Sequence, residues 1–190
     1  SASYSVIAGG YASVASAYQS AVVGGSYNTS QGNNNFIGGG QLNTANGSYS
    51  QTYSSIVGGF TNTANGFYNF IGGGQLNVGT SITAVTTQTT ANVFTGNNQV
   101  LLSSTNGSIR VGLMVTGTGV PSNTYVSAIS ANLLTMSSTA SATGTPTLSF
   151  YTPHGVVVGG ANNQATGAYS FIGGGGDAGT AANGNQASGD

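Results

Sequence analysis

Cysteine, lysine, glutamate and tryptophan are absent from the 190 residues, and charge of either sign nearly so. Arg110 is the one basic residue and Asp177 and Asp190 the two acidic ones, so charge occupies 2% of the chain, against about 25% in ordinary globular domains. That scarcity excludes most enzyme chemistries. Without cysteine there is no disulfide framework, thiolate nucleophile or thiolate metal site. Without a basic stripe nothing neutralises phosphates or holds an anionic bilayer, so nucleic acid and membrane surfaces are not expected partners. No apolar run approaches the roughly 20 residues that cross a bilayer. The opening residues Ser1 to Tyr4 lack Met and a basic leader, which reads as a soluble chain with a processed or excised start. Proline is scarce as well, and Gly plus Pro make up about 19% of the chain, below the 25–30% of aperiodic low-complexity chains. Disorder is further disfavoured because apolar residues return at fixed intervals.

What the chain has in quantity is glycine, 33 residues, and repetition. An apolar pair followed by two glycines starts at Ile7, Val22, Phe36, Ile56, Phe70, Val157 and Phe171, with successive spacings of 15, 14, 20, 14, 87 and 14. The recurring spacing of 14 is read as the repeat unit. A second signature follows in Asn43 to Ser50, Asn62 to Asn69 and Asn163 to Ser170, each ending on Gly-x-Tyr-Ser or Gly-x-Tyr-Asn. Such a unit is too short for a helix pair and is rich in glycine and β-branched residues. It fits two strands of four or five residues with Gly and Asn at the corners, one coil of a parallel β-roll or β-solenoid. Neighbouring strand residues face opposite ways, so an apolar pair implies burial on both faces, one inside the roll and one against another copy. Ile37, Val57, Ile71, Val158 and Ile172 are the expected repeat core. Tyr49, Tyr68 and Tyr169 hold one place in three repeats and are expected to stack as a structural ladder.

The run Phe70 to Asn77, with Asn62 to Asn69 before it, resembles the head repeats of trimeric autotransporter adhesins and the similar repeats of bacteriophage tail fibres. The resemblance covers residues 1–79 and 155–190, and the doubled or tripled glycines and Asn-rich corners are closer to the phage fibres. It implies a left-handed parallel β-roll wound as a homotrimer, with a role in adhesion or host recognition.

About 73 residues interrupt the repeats without losing their phase, which divides the chain into roll repeats at 1–79, an inserted β-sandwich-like domain at 80–152, and resumed repeats at 153–190. The insertion reads as short antiparallel strands near 91–94, 99–102, 113–115, 125–129, 133–136 and 147–150, forming a small sandwich or barrel. Its stretch from Gly112 to Phe150 resembles a module inserted in many phage structural proteins. Phase resumption predicts that joining Gly79 to Gly155 leaves a folded roll. A shorter irregularity of six residues, assigned to Gly40 and 51–55, reads as a loop.

Polysaccharide hydrolysis normally needs two carboxylates about the scissile bond. Asp177 follows a glycine run and Asp190 ends the sequence, so they read as a turn residue and a terminus. His154 has no Asp nearby to orient it and reads as a junction residue or a stacked axial His. No catalytic residue, metal or cofactor is assigned, and no enzyme activity is expected. Recognition is expected on the insertion, around Phe94, Arg110, Tyr125 and Tyr151, because loops and inserted domains on rigid scaffolds usually carry it; Arg110 itself also reads as a solvated turn residue. The leading expectation is a structural, receptor-binding fibre segment of a virus particle, foremost a phage tail fibre. Its partners would be its own copies and a host glycan or protein or neighbouring virion proteins, and its place the virion or the cell exterior. A self-assembling microbial surface filament or adhesin is the alternative, and ice binding, suggested by Thr86 to Thr90, comes last.

Overall fold

Glycine and asparagine set the period of the chain. The structure is a computed structural model that describes residues 4–47, 53–80, 84–177, 179 and 181–188. It is all-β, and the helical element among the described residues is a 3-10 turn at Ala181–Asn183. The chain divides into two units, Ser1–Ile82 with Pro153–Asp190, and Thr83–Thr152.

Among the described residues the first unit is a β-solenoid of seven stacked coils. One parallel sheet takes a two-residue strand from each: Val6–Ile7, Ala21–Val22, Phe36–Ile37, Ser55–Ile56, Phe70–Ile71, Val156–Val157 and Phe171–Ile172. We number the coils 1 to 7 in that order. A second parallel sheet joins Val14–Ala15, Thr29–Ser30, Thr44–Ala45 and Thr63–Ala64. It continues through single bridges at Val78 to the pair Gln164–Ala165 and Gln186–Ala187. A third row of bridges links Tyr11, Ser26, Gln41, Phe60, Gln75 and Ala161.

Register corrects the period. Val6 pairs with Ala21, Ala21 with Phe36, and Ser55 with Phe70, the same step of 15 that separates the hydrogen-bonded Asn28 and Asn43. The true repeat is therefore this step of 15, built on two-residue strands rather than strands of four or five. Phe36 pairs with Ser55 and Phe70 with Val156, so the first irregularity adds four residues rather than six, and Gly40 belongs to the regular coil. In Phe36-Ile37 the buried residue is the second of the pair, but in Ile56-Val57 and Val157-Val158 it is the first. Val57 and Val158, expected in the core, point outward and are 51% and 48% exposed, while Ile56 and Val157 are fully buried.

The solenoid core is thin. One wall is Val22, Ile37, Ile56, Ile71, Val157 and Ile172; the facing wall is Ala45, Ala64 and Ala165, with Ala15 and Ala187 partly buried at its ends. Small alanines opposite branched residues let the two sheets approach closely while filling the space between them.

The second unit is a closed antiparallel barrel, not a sandwich. Its strands run in the order Thr86–Val93, Gln99–Leu102, Leu133–Met136, Thr124–Ser130, Met114–Thr116 and Thr147–Tyr151, which closes onto Thr86–Val93. Alternation directs Val100, Leu102, Leu134, Met136, Leu148 and Phe150 inward. Register shifts at Thr90/Asn92 and Val126/Ala128 supply the bulges that help a small sheet curl shut.

Candidate recognition surfaces

An asparagine ladder holds the scaffold. Asn43 Nδ2 donates to Gly39 O of its own coil at 3.0 Å and to Gly59 O of the next at 2.9 Å. Asn28, Asn62, Asn77 and Asn163 repeat the pair of bonds. The Oδ1 of Asn28, Asn43, Asn62, Asn77 and Asn163 accepts the backbone N–H of the Asn in the following coil at 3.0 Å each. Each of these side chains is fully buried, which is tolerable because its donors and acceptor are matched. Three residues before each Asn stands a glycine with positive φ, for example Gly25 at 83° and Gly40 at 84°. A Cβ on Gly25 would run into the carbonyl oxygen of Gly40, so only glycine fits this column.

The outward face of the seven-stranded sheet is apolar and alternates by coil. Coils 3, 5 and 7 carry Phe36, Phe70 and Phe171, each followed two residues on by Gly38, Gly72 or Gly173. Coils 2, 4 and 6 carry Ala21, Ser55 and Val156, followed by Val23, Val57 and Val158. Large side chains thus fall in one column on odd coils and in the other on even coils, except that coil 6 carries Val156 and Val158 in both. A Cβ on Gly38 or Gly72 would strike the carbonyl oxygen of Val57 or Val158 in the next coil, and the Phe36 ring edge reaches over Gly38. Phe36, Phe70, Phe171, Val23, Val57 and Val158 are all exposed.

A row of rings lines one corner. Tyr53 stacks on Tyr68 at 5.5 Å, Tyr68 on His154 at 4.9 Å, and His154 on Tyr169 at 4.7 Å, all within 21° of parallel. The four residues share a positive φ of 48–63°, so the corner geometry aims each ring the same way. Tyr49 lies outside the described residues, and Tyr53 holds the ladder place it was expected to fill. His154 is a rung of this outer stack rather than an axial residue. Burial lowers its pKa and raises that of the Tyr169 phenol. Tyr68 and His154 have both faces covered by neighbouring rings, so a sugar could meet only their edges.

One side chain spans the place where the chain leaves the solenoid and returns. Asn69 Oδ1 accepts the N–H of Thr80 at 2.9 Å, the Thr80 hydroxyl at 2.9 Å and the N–H of Gly155 at 3.1 Å. Asp177 is occupied by its own turn. Its Oδ1 accepts from Gly179 N–H at 2.8 Å and its Oδ2 from Asn183 Nδ2 at 3.1 Å, and these bonds lower its pKa. Asp190 lies outside the described residues.

The barrel does not bring its four expected recognition residues together. Tyr125 and Tyr151 flank Met114 on neighbouring strands, but Tyr151 is only 3% exposed and belongs to the barrel core. Arg110, exposed, precedes Met114 in a turn. Phe94, also exposed, sits at the far end of the Thr86–Val93 strand, beside the Val93 to Gly144 bridge. Exposed apolar residues that sequence reasoning passed over are Val111, beside Arg110, and the cross-strand pair Leu101 and Leu133; strand alternation at Leu101-Leu102 and Leu133-Leu134 carried the signal. The Thr86 to Thr90 run is a barrel strand in which Thr90 is buried and bonded to Pro146 O, so its hydroxyls do not form a flat row. No family model, curated protein or solved structure matches the chain.

Proposed function

We propose that the chain is a structural fibre segment of a virus particle, most plainly of a phage tail fibre, whose solenoid associates side by side with its own copies as a homotrimer and whose barrel meets the host or a neighbouring virion protein. The observation that carries this reading is the alternating Phe and Val face. Contiguous exposed apolar patches beyond those usual on monomers, roughly 300–600 Å², mark association sites. Here odd-coil knobs stand beside even-coil hollows, a relief that a second copy can fill. A nearly uncharged exterior leaves contact to hydroxyls, amides and apolar groups, so attachment should change little with salt. Asp177, held in its turn, gives no second carboxylate to a hydrolytic site, which favours a binding role over catalysis.

Light scattering tests the lateral packing: the chain should run at three times its 18.6 kDa mass, and Phe70→Gln should reduce it to a folded monomer. A stable wild-type monomer would sink the packing. For recognition, a variant with one glycine in place of residues 81–152 should lose adsorption to host cells, and undiminished adsorption would move recognition to the coils. Antibody labelling of particles against cell surfaces separates the virion reading from the filament reading.

A further inference from the structure

Four Asn-Gly steps occur in the chain: Asn46-Gly47, Asn65-Gly66, Asn106-Gly107 and Asn183-Gly184. Glycine puts no Cβ beside its backbone nitrogen, so in such a step that nitrogen can reach the preceding side-chain amide and close a five-membered ring. Whether it does depends on how the fold holds the two groups, because bringing a nucleophile and a carbonyl together in advance removes much of the entropy of their encounter.

Asn46 meets that condition. The Gly47 N–H donates to Asn46 Oδ1 at 2.8 Å, which sets the Gly47 nitrogen beside the Cγ that carries this oxygen and polarises the carbonyl. The Asn46 N–H is held by Ala64 O at 3.0 Å, and both residues are half-buried. The contact therefore sits at an ordered strand end that water still reaches.

The other three steps are held differently. The Asn106 amide is committed elsewhere: Oδ1 accepts from Ser108 N–H at 3.0 Å, and Nδ2 donates to Thr86 Oγ1 at 3.0 Å and to Gln88 Oε1 at 3.2 Å. Asn183 Nδ2 donates to Asp177 Oδ2 at 3.1 Å, and that carboxylate opposes the negative charge that builds up during attack. Asn65 O accepts from Asn69 Nδ2 and from the Thr80 hydroxyl, which fixes the peptide that would have to turn, and Gly66 is buried. The ladder residues Asn28, Asn43, Asn62, Asn77 and Asn163 are followed by Thr, Val or Gln, whose Cβ crowds the nitrogen, and their amides are bonded into the stack.

We propose that Asn46 is a self-modification site that converts to isoaspartate or aspartate without an enzyme. The Gly47 nitrogen gives its proton to water and attacks Asn46 Cγ. The N–Cγ bond forms, the Cγ–Nδ2 bond breaks, and Nδ2 takes a proton from water and leaves as ammonia. One water then opens the succinimide at either carbonyl, which restores the N–H and yields one carboxylate. The product adds one negative charge to a chain whose formal net charge is −1, three residues beyond Asn43. The isoaspartyl form also lengthens the main chain there by one methylene. The ladder itself is spared, so the coil stack ages at a corner and not at its joints. This chemistry does not depend on the fibre reading.

The experiment keeps the full chain folded in mildly alkaline buffer, samples it over time and digests it with pepsin in acid. Mass spectrometry follows amide-to-acid exchange in each Asn-Gly peptide, and fragmentation separates isoaspartate from aspartate. Asn46 should convert about tenfold faster than Asn65, Asn106 or Asn183. The four rates should converge in guanidinium chloride, where the fold no longer distinguishes them. Asn46→Gln is the control, because Gln31 fills the same place in coil 2 and donates its N–H to Ala45 O. That variant should keep the wild-type melting temperature and lose the early acidic shift in isoelectric focusing, since glutamine would have to close a six-membered ring. If it melts lower, the site-resolved rates of the wild type decide alone. Equal rates at the four steps in the folded chain, another step that converts first, or an acidic shift that survives in a folded Asn46→Gln each overturns the site.

Discussion

Asn43 Oδ1 accepts the backbone N–H of Asn62 at 3.0 Å, with both residues fully buried. Removing the Asn43 amide orphans that N–H and strips donors from Gly39 O and Gly59 O. An unsatisfied buried polar group costs about 1–3 kcal/mol, so Asn43→Ala should destabilise the solenoid by about 2–4 kcal/mol in chemical denaturation. Asn43→Asp should be worse near neutral pH, since a carboxylate would face two carbonyl oxygens. A loss under about 0.5 kcal/mol for Asn43→Ala would show that the ladder is ornamental.

Adjacent glycines make a sharper contrast. A methyl on Gly39 would have nothing within 4 Å, whereas at Gly40, with φ at 84°, a methyl would meet the Gly59 carbonyl. Gly39→Ala should therefore be near neutral or stabilise by about 0.4–1 kcal/mol through the unfolded chain. Gly40→Ala carries both a left-handed backbone penalty of about 1–2 kcal/mol and a backbone collision, and should lower the melting temperature by several degrees or prevent folding. Equal melting temperatures for the two variants would contradict the corner geometry.

The parallel solenoid was legible in the sequence, but its phase was not. Aligning on the apolar pair slips by one residue between Phe36-Ile37 and Ile56-Val57, because in one the outward residue precedes the buried one and in the other it follows. That slip turns a regular step of 15 into an alternation of shorter and longer steps and assigns Val57 and Val158 to the core. The glycine with positive φ and the Asn three residues later, as in Gly25-Asn28, Gly40-Asn43, Gly59-Asn62, Gly74-Asn77 and Gly160-Asn163, keep phase because a Cβ collides at the first place and the second must accept the next coil's N–H, a role that Ser13 takes after Gly10 in coil 1. The barrel strands were legible from alternation. Burial of Tyr151 was not, since it follows buried Phe150 at a strand end where the two-residue period breaks.

His154 should give the chain a pH response. Burial holds its pKa below the ordinary value of 6.5, so the unfolded chain takes the proton more readily. Its contribution is then fully present above about pH 6.5 and is lost as the pH falls through the folded pKa. His154→Tyr keeps a ring of the kind found at Tyr53, Tyr68 and Tyr169 and does not titrate there. The wild-type melting temperature should fall relative to His154→Tyr between pH 7 and pH 5. Parallel curves over that interval would mean that the stacked His is equally comfortable charged, through cation–π contact with its two tyrosines.

Coil 5 sets the length of the bridge that can replace the barrel. Phe70 pairs with both Ser55 and Val156, and the regular coil needs a step of 15 from Phe70 to its successor, as from Asn62 to Asn77. Joining Gly79 to Gly155 leaves a coil four residues short, because it removes Thr80, Pro153 and His154 together with the barrel and leaves nothing at the corner between them. It also removes the Thr80 N–H and hydroxyl from Asn69 Oδ1 and the middle ring from the stack of Tyr68 and Tyr169. A single glycine between Thr80 and Pro153 restores the full step and stands where Gly66, with φ at 83°, stands in the preceding coil. This variant should melt cooperatively near the wild-type solenoid, while the Gly79 to Gly155 junction should melt at least several degrees lower or aggregate. Equal cooperative melts would show that the stack tolerates a short coil and that Asn69 does not hold the junction.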